Sequence, residues 1–196
     1  LYIGIPSMIG LFFCAEDLVS TIFYRGAFTE KDVINSSYSL MAFSFGLPFF
    51  MLMKVLTPAF FARKDTKTPM FVALLSLILN ASLNYYLAFV LNYGHIGIAI
   101  GSSIAAFISV FILEIMLYRN GLVKLKSIFN IFNLNIIISS LFLIAFLCFF
   151  TTSIDFMKIN QIQRIFYLSI EIAVSVIIYF SISSMILKRP FRELFY

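Results

Sequence analysis

Six long apolar runs, at residues 1–23, 39–61, 70–91, 96–117, 131–150 and 165–187, leave the chain very few ways to fold. About 20 helical residues cross a hydrocarbon core of about 30 Å, and each run reaches that length. None alternates with the two-residue period of a barrel strand. Hydrocarbon offers no partner to a backbone N–H or C=O, so continuous apolar runs of this kind must be helices. The composition agrees: 62% of residues are hydrophobic and 12% charged, against roughly half and about a quarter in soluble domains. The expected fold is all-α, a polytopic membrane bundle of about six transmembrane helices. The first run is the least regular, because it carries Glu16 and Asp17. The sequence opens at Leu1 with neither a Met nor a basic leader, so a signal peptide is not expected. A chain starting partway through a larger protein is.

The charges work as topology signals. Net charge is +5, from 14 Lys and Arg and 9 Asp and Glu, but these residues fall in short loops and form no continuous basic face, which argues against nucleic acid as a partner. Nine basic residues fall on one side: Arg63, Lys64, Lys67, Arg119, Lys124, Lys126, Lys188, Arg189 and Arg192. Four fall on the other: Arg25, Lys31, Lys158 and Arg164. The richer side is expected in the cytoplasm, with both ends of the chain there. Cys14 and Cys148 lie far apart inside apolar runs, so they suggest packing and neither a disulfide nor a metal site. There is no phosphate-cradling Gly-Lys-Ser/Thr loop, no spaced acid and base, and no Cys/His cluster. Neither an enzyme nor a cofactor is expected, and His95, beside Gly94, reads as a loop residue.

Polar and small residues inside the runs recur at helical spacing. Ser76, Asn80 and Asn84 share one face, suited either to bonding a neighbouring helix or to lining a wet cavity. Gly97, Gly101, Ala105 and Ser109 form a small-residue stripe that lets another backbone approach. Pro48 and Pro58 should bend the second run, since proline removes a helical donor and crowds the preceding turn. Lys54, near the middle of that run, must face a cavity, pair with a carboxylate such as Glu114 or Glu171, or reach for the interface. In the following loop Arg63, Lys64 and Lys67 read as topology determinants. Asp65 reads as the cap of the next helix, with Thr68 and Pro69 at its start. Arg25 and Gly26 belong to a turn whose glycine permits a tight reversal.

Several of these stretches together form a family pattern: Arg25-Gly26-Ala27-Phe28-Thr29, Gly46-Leu47-Pro48, Lys54-Val55-Leu56, Pro58-Ala59-Phe60, Ala62-Arg63, Asp65-Thr66, Thr68-Pro69 and Gly94-His95-Ile96-Gly97. From about residue 5 to 121 the chain closely resembles the second half of the MviN/MurJ lipid II flippases, within the multidrug/oligosaccharidyl-lipid/polysaccharide exporter superfamily. Beyond that only hydropathy and segment count agree. The resemblance implies the ninth to fourteenth helices of a fourteen-helix protein. Residues 1–120 would form an incomplete carboxyl-terminal lobe of four helices, and residues 121–196 two additional helices with a basic tail, the helix pair lining a groove for the lipid tail. It implies alternating-access movement of undecaprenyl-linked peptidoglycan precursor from the inner to the outer leaflet of a bacterial inner membrane. Lys54, Asn80 and Asn84 would be the candidates for the substrate cavity. The family's cavity arginines have no counterpart here, so this chain is expected to be inactive alone and to be a carboxyl-terminal fragment, from a split or decayed gene or as a portion that takes the missing amino-terminal part in trans. An exporter of other polysaccharide lipids or drugs, or a non-transporting membrane subunit, are the alternative readings.

Overall fold

The computed structural model of the chain describes residues 2–119, 131–154 and 156–187. The loop residues Lys124 and Lys126 and the tail residues Lys188, Arg189 and Arg192, which enter the topology argument, lie outside them. The described elements are helical throughout: α1 (Gly4–Phe13), α2 (Ala15–Phe23), α3 (Glu30–Ser44), α4 (Leu47–Phe61), α5 (Lys67–Tyr85) continued by a π-helical turn (Tyr86–Val90), α6 (Gly94–Arg119), α7 (Ile131–Ser153) and α8 (Gln161–Leu187). Among the described residues five helical stretches are long and apolar enough to cross a membrane, and α1 with α2 makes a sixth if taken as one broken span.

Two of the expected spans differ in form. The first is not one helix: α1 and α2 meet at 64°. The break falls at Cys14, and the carboxylates that made this run irregular, Glu16 and Asp17, occupy the first turn of α2, where the helix dipole favours negative charge. The second span begins nine residues earlier than hydropathy suggests, at Glu30. Thr29 and Asp32 explain the early start. The Thr29 amide and hydroxyl donate to Asp32 Oδ2 at 2.9 and 2.7 Å, a reciprocal cap that satisfies donors the helix leaves free. This span is interrupted at Phe45 and Gly46, and Pro48 sits in the first turn of α4, after the interruption. Proline is at home there because the missing N–H has no helical acceptor to lose. Pro58 lies inside α4, which continues through it to Phe61.

The chain divides into two compact units. Tyr38–Leu125 forms one; Tyr2–Ser37 joins Lys126–Tyr196 in the other. In the first, α4 and α5 pack on α6 around Phe60, Val72, Leu113 and Leu117. In the second, α1 and α8 pack on α7, and α2 on α8, around Ile9, Cys14, Leu143, Leu147 and Tyr179.

Candidate functional site

In the first unit the polar face of α5 meets the small-residue stripe of α6. A Cβ on Gly97 would stand 2.7 Å from the Leu87 carbonyl carbon, and one on Gly101 would strike the Asn84 side chain and lie 3.2 Å from its amide nitrogen. Only glycine allows so close an approach. Ser102 Oγ donates to Asn80 Oδ1 at 3.3 Å. The Asn84 amide, oriented so that its nitrogen meets acceptors, donates to the Ile98 carbonyl and to Asn80 Oδ1, each at 3.1 Å. Asn80 and Asn84 therefore bind α5 to α6. Toward the other end of these helices Met53 and Thr57 of α4, Ser76 of α5 and Ser109 of α6 border a cleft of about 470 Å³.

Lys54 does not line that cleft. It lies on an exposed stripe of α4 with Met51, Val55 and Pro58. Of the carboxylates considered as its partners, Glu114 is exposed on α6, while Glu171, in the second unit, accepts a hydrogen bond from Cys14. Downstream, α4 ends in a Schellman turn, with Lys64 N–H donating to Phe61 O at 2.9 Å and Asp65 N–H to Phe60 O at 3.1 Å. Lys64 takes the left-handed position at φ 61°, where glycine is usual. Arg63 and Lys64 are exposed, Pro69 is buried, and Asp65 Oδ1 accepts the Thr68 N–H at 3.1 Å. Hydrogen bonds from Thr68 hold the Asp65 carboxyl below its ordinary value of 3.8. At the other turn, Arg25 is exposed and Gly26 has φ 64°, as a tight reversal requires.

The second unit contains a polar cluster that no sequence motif singles out. Arg164, counted above as an outer loop charge, is buried. Its guanidinium donates to the carbonyls of Phe156 (2.6 Å), Met157 (3.1 Å), Tyr24 (3.2 Å) and Ser20 (3.5 Å) and stacks 4.7 Å from the Tyr24 ring centre. It fastens the end of α2 to the start of α8. Deeper in the same contact, Cys14 Sγ donates to Glu171 Oε1 at 3.2 Å, so this thiol is more than packing. Glu171 is 0% and Asp17 6% exposed. Beside Cys14 and Ser175 lies a cleft of about 400 Å³ whose other walls are mainly apolar, Pro6, Leu11, Leu143 and Val176 among them. The only hints in the sequence were an acid in each of two apolar runs.

The family profile described as "Lipid II flippase MurJ" matches residues 1–167. This chain belongs to the MurJ lipid II flippase family. It is 40% identical over 124 residues to the probable lipid II flippase MurJ of Vibrio cholerae, covering 63% of this chain and 23% of that protein. It is 32% identical to the lipid II flippase MurJ of Thermosipho africanus across 100% of this chain and 37% of the relative. A solved structure, lipid II flippase MurJ in an inward closed conformation, superposes with a TM-score of 0.74 at 29% identity, over 100% of this chain and 37% of that one. The chain thus spans about a quarter to just over a third of the length of these MurJ relatives. The all-α membrane bundle follows from the fold, and the MurJ family assignment makes the chain part of a multi-pass membrane protein.

Proposed function

We propose that this chain is the carboxyl-terminal part of a lipid II flippase that moves undecaprenyl-pyrophosphate-linked peptidoglycan precursor from the inner to the outer leaflet of a bacterial inner membrane by alternating access. The observation that carries the reading is the superposition of the whole chain on a MurJ structure. Transport follows from a site between two repeats that rock against each other, and a part covering 37% of its relative offers too little wall to enclose a charged head group. The chain accordingly acts as a transporter component and not as an enzyme, with the remaining lobe supplied in the same protein or in trans. In this reading α7 and α8, within residues 121–196, are the additional pair that meets the lipid tail, and residues 1–120 belong to the lobe. Lys54, on its exposed α4 stripe, supplies positive charge toward the pyrophosphate. Asn80 and Asn84 hold the α5–α6 wall, and the loops with Arg63, Lys64 and Lys67 and the carboxyl terminus lie in the cytoplasm.

The test is complementation. Residues 1–196 are expressed in bacteria depleted of their own flippase, with and without the preceding portion of a MurJ relative, and growth is scored alongside membrane abundance. Growth is expected only in combination, and weaker with Lys54→Ala. Rescue by residues 1–196 alone would sink the partial-chain reading. Failure of the combination, with both pieces present in the membrane, would sink the flippase reading.

A further inference from the structure

Glu171 and Asp17 occupy apolar stretches of the second unit, on α8 and α2, and both are buried. Neither has a full set of partners. Glu171 Oε1 accepts from the Cys14 thiol, but Glu171 Oε2 and Asp17 Oδ2 meet no hydrogen-bond donor among the described residues. The helices that carry them, α2 and α8, pack on each other, and Cys14, three residues before Asp17, is bonded to Glu171. An unpaired carboxylate away from water is strongly disfavoured, and two together more so, unless a cation or a proton neutralises them.

Among the described residues of the second unit, the groups on the elements around these acids supply no cation. From the α1–α2 side the titratable groups are Cys14, Asp17 and the exposed Glu16. α8 contributes Arg164, Tyr167, Glu171 and Tyr179, and α7 carries no charged residue between 131 and 153. Arg164 lies two helical turns before Glu171, and the hydrogen bonds of its guanidinium go to the backbone carbonyls at the end of α2 and the start of α8.

We propose that Asp17 and Glu171 form a membrane-embedded proton-binding site that holds at least one proton at neutral pH, with Asp17 Oδ2 and Glu171 Oε2 as the atoms that receive it. Uptake converts one carboxylate to the neutral acid and leaves α2 seated on α8. Release leaves two uncompensated anions buried where α2 packs on α8, which disfavours that contact. The cleft beside Cys14 and Ser175 borders this contact. The site is independent of what the protein transports.

The experiment uses the full-length membrane protein containing this chain, reconstituted in lipid nanodiscs, with choline as the only added cation. Infrared spectra at neutral pH should show the C=O stretch of a protonated carboxyl, shifting in D2O and absent from the Asp17→Asn/Glu171→Gln double variant. On the unaltered protein, dicyclohexylcarbodiimide, which adds to buried protonated carboxyls, should leave an N-acylurea on Asp17 or Glu171 by mass spectrometry, with less labelling as pH rises. This second measurement needs no variant to fold. Absence of both the band and the label at neutral pH would overturn the proposal. So would loss of both when sodium replaces choline, which would make the pair a metal-cation site.

Discussion

Arg164 separates two uses of a basic residue that look identical in a sequence. At the mouth of an apolar run it reads as a loop charge, yet its carbonyl partners Ser20 and Tyr24 stand 144 and 140 residues away in the chain. Nothing local announces them. Hydrogen bonds from a charged donor contribute about 1.5–3 kcal/mol each, so Arg164→Ala should lower unfolding stability in detergent by on the order of 3 kcal/mol, and Arg164→Lys, lacking the fork, should recover only part of it. Thermal unfolding followed by far-ultraviolet circular dichroism would measure this; no loss in either variant would mean that Arg164 does not fasten α2 to α8. Asp65 is the opposite case, fully legible. An acid three residues before Thr68 and just ahead of Pro69 is a helix-start signal, and the Thr68 N–H is its partner. Because the folded state depresses the Asp65 carboxyl from its ordinary value of 3.8, its stabilisation is fully present above that value and is lost as pH falls through the lower folded value. The melting temperature of Asp65→Asn should therefore depend less on pH in that acid window than that of the unaltered protein.

Between elements, the sequence reveals close approach more readily than it reveals breaks. The four-residue spacing of Gly97, Gly101, Ala105 and Ser109 identified the packed face of α6, because helical periodicity is a local property. Its partner surface was less visible. The π-helical turn at Tyr86–Val90, against which Gly97 packs, is written in ordinary apolar residues. The interruption at Phe45 and Gly46 likewise depends on distant atoms. A Cβ on Gly46 would lie 2.8 Å from both Ser103 Oγ and the Phe50 ring, and Ser103 Oγ donates to the Ala42 carbonyl at 2.9 Å. Tertiary contact with α6, absent from any local pattern, thus fixes where α3 ends. Forcing a larger residue into such a contact costs about 1–3 kcal/mol. Gly97→Val should therefore destabilise the first unit by that amount, while Gly10→Ala, whose Cβ would meet nothing within 4 Å, should be close to neutral. Equal effects in a paired unfolding measurement would mean that α6 and the π turn are not held together by this approach.

At the scale of the whole molecule, hydropathy captured the number of membrane-length segments and family motifs captured the fold, because a bilayer imposes both length and helicity on any chain within it. What hydropathy could not capture is which charges are solvated, and the orientation argument depends on that. With Arg164 engaged inside the protein, the side opposite the nine basic residues keeps Arg25, Lys31 and Lys158, all exposed. Without Arg164 the count is nine basic residues against three, and the orientation expected from the positive-inside rule can be tested directly. The loop after α4, with exposed Arg63, Lys64 and Thr66, and the turns holding Ala27 and Asn160, lie on opposite sides if each intervening span crosses once. Single cysteines at these positions, in a Cys14→Ser/Cys148→Ser background, can therefore be labelled in intact cells with an impermeant thiol reagent. Cysteines replacing Ala27 and Asn160 should react from outside, and one replacing Thr66 should react only after the membrane is opened. The reverse pattern would invert the topology and place Lys64 and its neighbours outside the cell. Labelling of all three from outside would mean that α3 with α4, and one of α5 to α7 as well, fail to cross, and the helix correspondence with MurJ would have to be redrawn.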